Sequence, residues 1–214
     1  MIEWLALILL VPAILVPIVL LFGFAGCGFN AYVGLPEEPP MPEKAFEATL
    51  IEDRQPANRC IVQRIEPVRL FKSGNKVHIT LQRPTADHLV INSISISHAA
   101  DTPGSDLYDS AGDPTLVPGT YPLLLAQDPG NAAVELMPVS FALDQTRPLL
   151  LAFDIDEPGN VRRSANEPGA GARAFVGPLQ TPPLHEAAIG DRQSSVYVDV
   201  ERTYLVQRLD VSEV

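Results

Sequence analysis

An uncharged apolar run from Trp4 to Gly26, WLALILLVPAILVPIVLLFGFAG, constrains this chain more than any other feature. As a helix rising about 1.5 Å per residue it would extend roughly 34 Å, enough to cross a hydrocarbon core of about 30 Å. A run this long and free of charge predicts a transmembrane helix that crosses the membrane once. Pro12 and Pro17 each remove a backbone donor, so we expect bends near them. We assign residues 1–27 to this anchor, with residues 4–26 in contact with lipid.

Two interpretations of the anchor stay open. A cleaved secretory signal starts with positive charge and has a short apolar core. This chain starts with Met1-Ile2-Glu3 and its apolar run is longer, so an uncleaved anchor is the first interpretation. The second is a lipoprotein acylated at Cys27, because Phe24-Ala25-Gly26-Cys27 resembles a bacterial lipobox.

The flanking charges bear on orientation. The positive-inside rule counts Lys and Arg near the ends of a membrane helix, and acidic residues weigh little in it. No Lys or Arg precedes this run, and the first one after it is Lys44. We expect the amino end inside and the carboxyl-terminal domain outside the cytoplasm.

Residues 28–44 read as a tether between the anchor and a folded domain. Their segment LPEEPPMPE carries four prolines and three glutamates. Proline favours extended polyproline geometry, so this piece is either a semi-rigid spacer or a short disordered linker. The formal charge of the whole chain is −11, which argues against nucleic acid or an anionic membrane surface as a partner.

The two cysteines, Cys27 and Cys60, support neither a disulfide framework nor a zinc site, although a single bridge between them stays open. The four histidines are scattered without transition-metal spacing. The sequence therefore predicts no transition-metal cofactor.

Residues 45–214 alternate short β-like runs with Pro, Gly and Asp turns. In KVHITLQR, for example, Val77, Ile79 and Leu81 share one face of a strand and the polar residues share the other. The predicted strands are Phe46–Ile51, Arg59–Ile65, Lys76–Arg83, Leu89–His98, Val134–Leu143 broken at Pro138, Leu149–Ile155, Ser195–Glu201 and Thr203–Val211. This pattern predicts an all-β domain, an antiparallel β-sandwich.

Two predicted loops exceed the usual connection length. They cover residues 99–114 and residues 157–192, the second with an apolar island at Ala174 to Val176. Loops this long are either functional or disordered. If the domain binds a ligand, we expect the ligand there.

Three stretches resemble a known kind of module. They are VINSISISHAADTPGSDLYDS (90–110), VSFALDQTRPLLLAFDI (139–155) and TYLVQRLDV (203–211). Together they resemble the jelly-roll β-sandwich of phage or prophage tail-associated proteins, and the non-catalytic module that precedes some SGNH-type hydrolases. The resemblance implies a jelly-roll-like fold and a carbohydrate-binding-like or particle-surface role. The anchor departs from that pattern and favours a membrane-associated role.

The candidate binding residues are His98, which ends the strand before the 99–114 loop, and Asp101, Asp106, Tyr108 and Asp109 within the loop. Together with Asp113, the three aspartates offer oxygen ligands suited to Ca²⁺, but their spacing is not that of an EF-hand. Aspartates in turns also bond their own backbone, so solvated turn residues are the simpler interpretation. We predict no resident metal or cofactor.

Catalysis and sugar binding are the alternatives that this loop raises. Gly104-Ser105-Asp106-Leu107 has the wrong order for a GDSL block, and no Gly-x-Ser-x-Gly elbow occurs. Nothing in the sequence fixes His98 beside Ser105, so we predict that the domain is not an enzyme. A sugar site needs exposed aromatic rings, for which Tyr108 is the candidate. Trp4 is better explained as an interfacial membrane residue.

These observations predict a membrane-anchored, non-catalytic β-sandwich. Its expected role is structural or docking, at a cell surface or a phage-like particle, with other protein subunits as partners. The alternatives are a lectin-like module that binds glycans, and a lipoprotein or esterase accessory domain.

Overall fold

The computed structural model describes residues 40–54, 59–102, 105–156, 160–166, 168–169, 171–179, 186–192 and 196–213. The predicted anchor, the lipidation candidate Cys27 and the tether up to residue 39 lie outside these residues. The first described strand includes Glu43 and Lys44, so the folded domain starts slightly before the predicted boundary at residue 45.

Fourteen strands form within the described residues. In chain order they are β1 (Glu43–Glu47), β2 (Glu52–Arg54), β3 (Arg59–Ile65), β4 (Gly74–Gln82), β5 (Leu89–His98), β6 (Thr115–Leu116), β7 (Leu123–Leu125), β8 (Ala133–Glu135), β9 (Val139–Leu143), β10 (Leu149–Asp156), β11 (Val161–Arg163), β12 (Ala172–Pro178), β13 (Val198–Val200) and β14 (Val206–Ser212). Two 3₁₀ turns, Pro67–Arg69 and Glu186–Ala188, complete the set, and this part of the chain contains no α-helix. The all-β prediction is therefore confirmed.

The strands form two main antiparallel sheets. The first has the order β1-β14-β4, with β8 and β9 both pairing with β4 on its far side. The second has the order β13-β12-β3-β10-β5, with β6 and β7 both pairing with β5. A two-strand ribbon of β2 and β11 stands apart. The break predicted at Pro138 is confirmed, because β8 ends before it and β9 starts after it.

The core lies between the two sheets, as a β-sandwich requires. Alternate residues of β4, β5 and β10 point into it because successive side chains of a strand point to opposite faces. On β10 these are Leu149, Leu151, Phe153 and Ile155, all fully buried as their spacing predicts. Phe46, Leu209 and Val211 close the layer from the five-stranded sheet.

The prediction of one long loop at 157–192 is wrong. β11 and β12 lie within that range, and β12 is an inner strand of the seven-stranded sheet, between β3 and β13. The sequence ARAFVGP lacks the alternation of large apolar and polar residues that predicts a strand. Its core-facing Ala174 is small, and its large apolar residue Phe175 packs on the opposite face. The apolar island at Ala174 to Val176 is the centre of this strand.

Candidate functional site

The 99–114 loop lies on the outer face of the seven-stranded sheet, where segment 186–192 fastens it. The buried carboxylate of Asp109 accepts hydrogen bonds from the backbone N–H of Asp106 (2.7 Å) and of Arg192 (3.0 Å). Arg192 is only 3% exposed and donates to the carbonyls of Tyr108 (2.5 Å) and Ala187 (3.2 Å). The Asp109 carboxylate therefore has a structural role, in joining the 99–114 loop to segment 186–192.

Tyr108 belongs to a second apolar cluster beneath this loop. Its ring lies 5.1 Å from that of Phe175 and 4.7 Å from that of Tyr197, measured between centroids, and the residue is 5% exposed. Burial, assisted by a hydrogen bond to Asp106 (3.1 Å), raises the pKa of Tyr108 to about 12. The expectation that this ring is exposed for stacking on a sugar is wrong, because the tight turns of the loop fold it inward.

His98, the last residue of β5, contacts the turn between β9 and β10 through both ring nitrogens. Its Nε2 lies 3.1 Å from the backbone nitrogen of Asp144 and 3.1 Å from the carbonyl oxygen of Ala142, and its Nδ1 lies 3.3 Å from the carbonyl oxygen of Pro148. The ring also stacks on Phe141 at 5.1 Å. Because both ring nitrogens face this turn, His98 does not serve as a base for Ser105.

An open depression of about 590 Å³ lies at this loop. Its lining includes Asp101, Ser105, Asp109 and Asp113 of the loop and Asp191 of segment 186–192, but not Asp106. Asp101 is exposed and reaches Arg147 at 3.5 Å. Within the described residues no three Asp, Glu, His or Cys side chains converge closely enough to hold a metal ion. The predicted Ca²⁺ ligands Asp101, Asp106, Asp109 and Asp113 therefore do not come together as a cage.

A polar seam on β5 and β10 lies under segment 186–192. Asp154, which is 2% exposed, accepts from Ser93 Oγ (2.5 Å) and from the Ala187 N–H (3.0 Å). Ser95 donates to the Ala187 carbonyl, and Ser97 bonds Ser110 at 2.8 Å. Ser95 and Asp154 thus satisfy the backbone of Ala187 in the segment above them, and this polar seam joins the covering segment to the sheet.

The outer face of the five-stranded sheet is different, because its side chains remain solvated. A depression of about 510 Å³ lies across β1, β14, β4 and β8. Pro42, Glu47, His78, Thr80, Glu135, Gln207, Arg208 and Asp210 line it. The lining contains no aromatic ring apart from the imidazole of His78, and most of it is charged or amide-bearing. It offers hydrogen bonds and fixed charges to a polar partner.

Strand register places opposite charges side by side on this face. Arg208 of β14 pairs in register with Glu47 of β1 and Thr80 of β4, and Asp210 pairs with His78. Arg208 binds Asp210 through Nε (2.8 Å) and Nη2 (2.7 Å), and His78 Nδ1 lies 3.1 Å from Glu135. These pairs, one along β14 and one between β4 and β8, hold long side chains in defined positions.

His78 also lies 3.5 Å from Ser212 Oγ through Nε2, which completes a Glu135–His78–Ser212 chain. This order of groups is that of a hydrolytic triad, but the Ser–His distance exceeds a good hydrogen bond. Glu135 is 62% exposed, so water solvates the carboxylate that would orient the imidazole. The flanking residues Val77, Ile79, Leu209 and Val211 pair within the sheet ladder, and the described residues there offer no pair of convergent N–H donors for an oxyanion. The chain of contacts is best explained as a cross-strand polar network.

Sequence reasoning missed this face for one reason. The alternation of β4 placed His78 and Thr80 opposite the core, but no local signal pairs them with Arg208 and Asp210, more than 120 residues away. No local signal pairs Arg192 with the 99–114 loop, or Asp154 with segment 186–192, either. These contacts form only in the folded domain.

No helix in the described part of the chain is both long and apolar enough to cross a membrane, and the predicted anchor lies outside that part. No protein-family model matches the chain, and no curated protein matches it either. The resemblance to tail-associated and SGNH-linked modules therefore stays a hypothesis.

Proposed function

We propose that this chain is a non-catalytic structural or docking module, held at a membrane by residues 4–26, that binds another protein subunit through the outer face of its five-stranded sheet. The observation that carries the proposal is the difference between the two outer faces. The strands of the seven-stranded sheet are covered by the 99–114 loop, segment 186–192 and the Tyr108 cluster, whereas the strands of the five-stranded sheet themselves line a charged depression.

The chemistry of that face supports a protein partner with complementary charge. Glu47, His78, Arg208 and Asp210 stand on adjacent strands, so their positions are fixed by the backbone ladder. Charges that are already held in place need little further ordering on binding, and patterned charges give an interface its specificity. The depression has no Tyr, Trp or Phe in its lining, so stacking of a sugar ring has less support there.

The strand order supports the jelly-roll class within the broader sandwich. β1, β14, β4 and β9 form one four-strand layer, and β3, β10, β5 and β7 form the other. These eight strands follow the order of two Greek keys, in which consecutive strands change layer except for the pair β5 and β7, and the first and last strands of the domain are adjacent. β12 and β13 extend the second layer beyond β3. This classification agrees with the resemblance to phage-tail modules, in which particle-surface roles are expected.

The experiment compares partners of the full chain solubilised in detergent. Arg208→Glu reverses the central charge of the face and breaks its contacts to Asp210, so we expect a stoichiometric co-purifying subunit to be lost. Arg173→Glu is the matched control, because Arg173 is also a surface arginine in an ion pair, with Asp199 at 2.7 Å, but on the other sheet. The proposal fails if no subunit accompanies the wild-type chain, or if both variants lose it equally.

A further inference from the structure

A second surface lies where the chain enters the sandwich. Met41 is 86% exposed two residues before β1, and Phe71 is 55% exposed next to the same strand. Phe71 N–H donates to the carbonyl of Ala45 in β1 (2.9 Å), which fixes the segment after the 3₁₀ turn against the edge of the sheet. Covering the exposed Met41 and Phe71 side chains with another apolar phase would be favourable, because it removes their apolar area from water.

Three cations lie near Phe71 and β1. Lys44, Arg69 and Phe71 line one depression of about 310 Å³, where Arg69 donates to the Glu47 carbonyl (3.1 Å). Lys44 pairs with Glu47 at 2.9 Å and Lys72 with Glu43 at 3.0 Å, so the cations exceed these carboxylates by one, although the formal charge of the chain is −11. We call Met41, Lys44, Arg69, Phe71 and Lys72 the entry patch.

We propose that the entry patch rests on the bilayer surface, with Met41 and Phe71 among the upper acyl carbons and the three cations at the lipid phosphates. This inference rests on the proposed membrane anchor. Apolar side chains that enter the headgroup boundary, flanked by Lys and Arg whose stems reach along it, are the general chemistry of interfacial binding.

The length of the chain before the patch makes this contact accessible. Between Gly26, where the predicted anchor ends, and Met41 lie 14 residues. A linker of that length spans roughly 20 Å on average as a flexible coil and about 45 Å when fully polyproline-like. Both values keep the patch within reach of the lipid, so even a weak interaction is strengthened by the high effective concentration that tethering gives. The phosphates of a zwitterionic bilayer suffice, which is compatible with the acidic charge of the whole chain.

The test places a single tryptophan reporter in the full chain. With Trp4→Phe as background, Phe71→Trp reports on the entry patch and Leu124→Trp reports on a similarly exposed position, 61% against 55%, at the edge of the seven-stranded sheet. Each chain is reconstituted into phosphatidylcholine vesicles that contain lipid brominated on the upper acyl carbons. We expect the emission of the Phe71→Trp chain to be quenched at least about two-fold more than that of the control, and quenching to fall when Lys44 and Lys72 are both changed to Glu.

Flotation of the same samples separates the two proposals. If the full chain does not float with vesicles, the membrane anchor itself is wrong. If it floats but the two reporters are quenched equally, only the entry-patch inference is overturned. Hydrogen exchange on the wild-type chain is a second measurement that needs no substitution. Amides 69–72 should exchange several-fold more slowly in vesicles than in a detergent that leaves the patch in water, and equal exchange would contradict the inference.

Discussion

Three buried arginines fasten loops to this sandwich through backbone carbonyls. Arg64 donates to Leu107 (2.8 Å), Arg162 to Leu50 (2.8 Å) and Arg192 to Tyr108 (2.5 Å). Each is at most 9% exposed, so each carries a charge into a poorly solvated place and must keep its acceptors. These single residues set how firmly the outer layers of the molecule are held.

Arg192→Met should lower the free energy of unfolding by about 2–4 kcal/mol, because it removes the arginine donor of the Tyr108 carbonyl and leaves the Ala187 carbonyl with Ser95 alone. Urea unfolding followed by circular dichroism measures this. Arg173→Met is the control, since its ion pair with Asp199 lies at the surface and is worth less than about 1 kcal/mol. Equal losses in the two variants would contradict the fastening role.

Stability should fall between pH 10 and pH 12. Burial raises the pKa of Tyr108 to about 12, so the folded state keeps a proton that the unfolded state releases near pH 10. The stabilisation is fully present below pH 10 and is lost as pH rises through the folded pKa. The burial of Tyr121 raises its pKa to about 12 as well and acts in the same direction. The urea midpoint of Tyr108→Phe should depend less on pH over this range than that of the wild type, and an unchanged slope would contradict the assignment.

Among the strands, β12 was not predicted from the sequence, yet it is an inner strand of the seven-stranded sheet. Its residue Gly177 lies under the ring of Tyr197, and a Cβ there would approach that ring to 2.7 Å. The absence of a side chain lets Tyr197 pack against Tyr108 and close the second apolar cluster. The strand thus supports the covering layer as well as the sheet.

Gly177→Ala should therefore destabilise the fold by about 1–3 kcal/mol, because the ring has to move or the strand has to shift. Chemical unfolding gives the energy, and near-ultraviolet circular dichroism follows the displaced tyrosines. Gly119→Ala is the matched control, since the nearest atom to its added Cβ lies 3.7 Å away, an ordinary contact. A Gly177→Ala chain as stable as the control would show that Tyr197 does not depend on this glycine.

In the domain as a whole, the first and last described strands pair with each other. β14 lies between β1 and β4, so the last strand of the chain completes the sheet that the first strand begins. Five of its approach and core residues, Tyr204, Leu205, Val206, Leu209 and Val211, are at most 4% exposed. Pairing between strands this distant in sequence makes closure slow and late in folding.

A chain that ends at Thr203 should lose cooperative unfolding altogether. Five buried apolar side chains contribute on the order of 10 kcal/mol, which is comparable to the whole stability of a typical domain. Thermal melting by circular dichroism measures this, with a chain that ends at Ser212 as the control. A cooperative melt of the shorter chain would mean that the remaining strands form a sandwich without β14.

The local pattern of the chain was enough to predict the class of fold. Alternation in β4 and β10, and the break at Pro138, identify strands because a strand buries every second residue and proline cannot donate to a ladder. The apolar run from Trp4 to Gly26 likewise predicts an anchor from its length and lack of charge alone. What the sequence could not supply is contact between distant residues. Arg208 meets the strand of His78, Asp109 meets Arg192, and Gly177 meets Tyr197 only in the folded sheets. Local patterns are therefore sufficient for the all-β class. The attachment of the 99–114 loop to the seven-stranded sheet, and the charged face of the five-stranded sheet, follow only from the folded structure. Both depend on contacts between residues far apart in sequence, which no local pattern encodes.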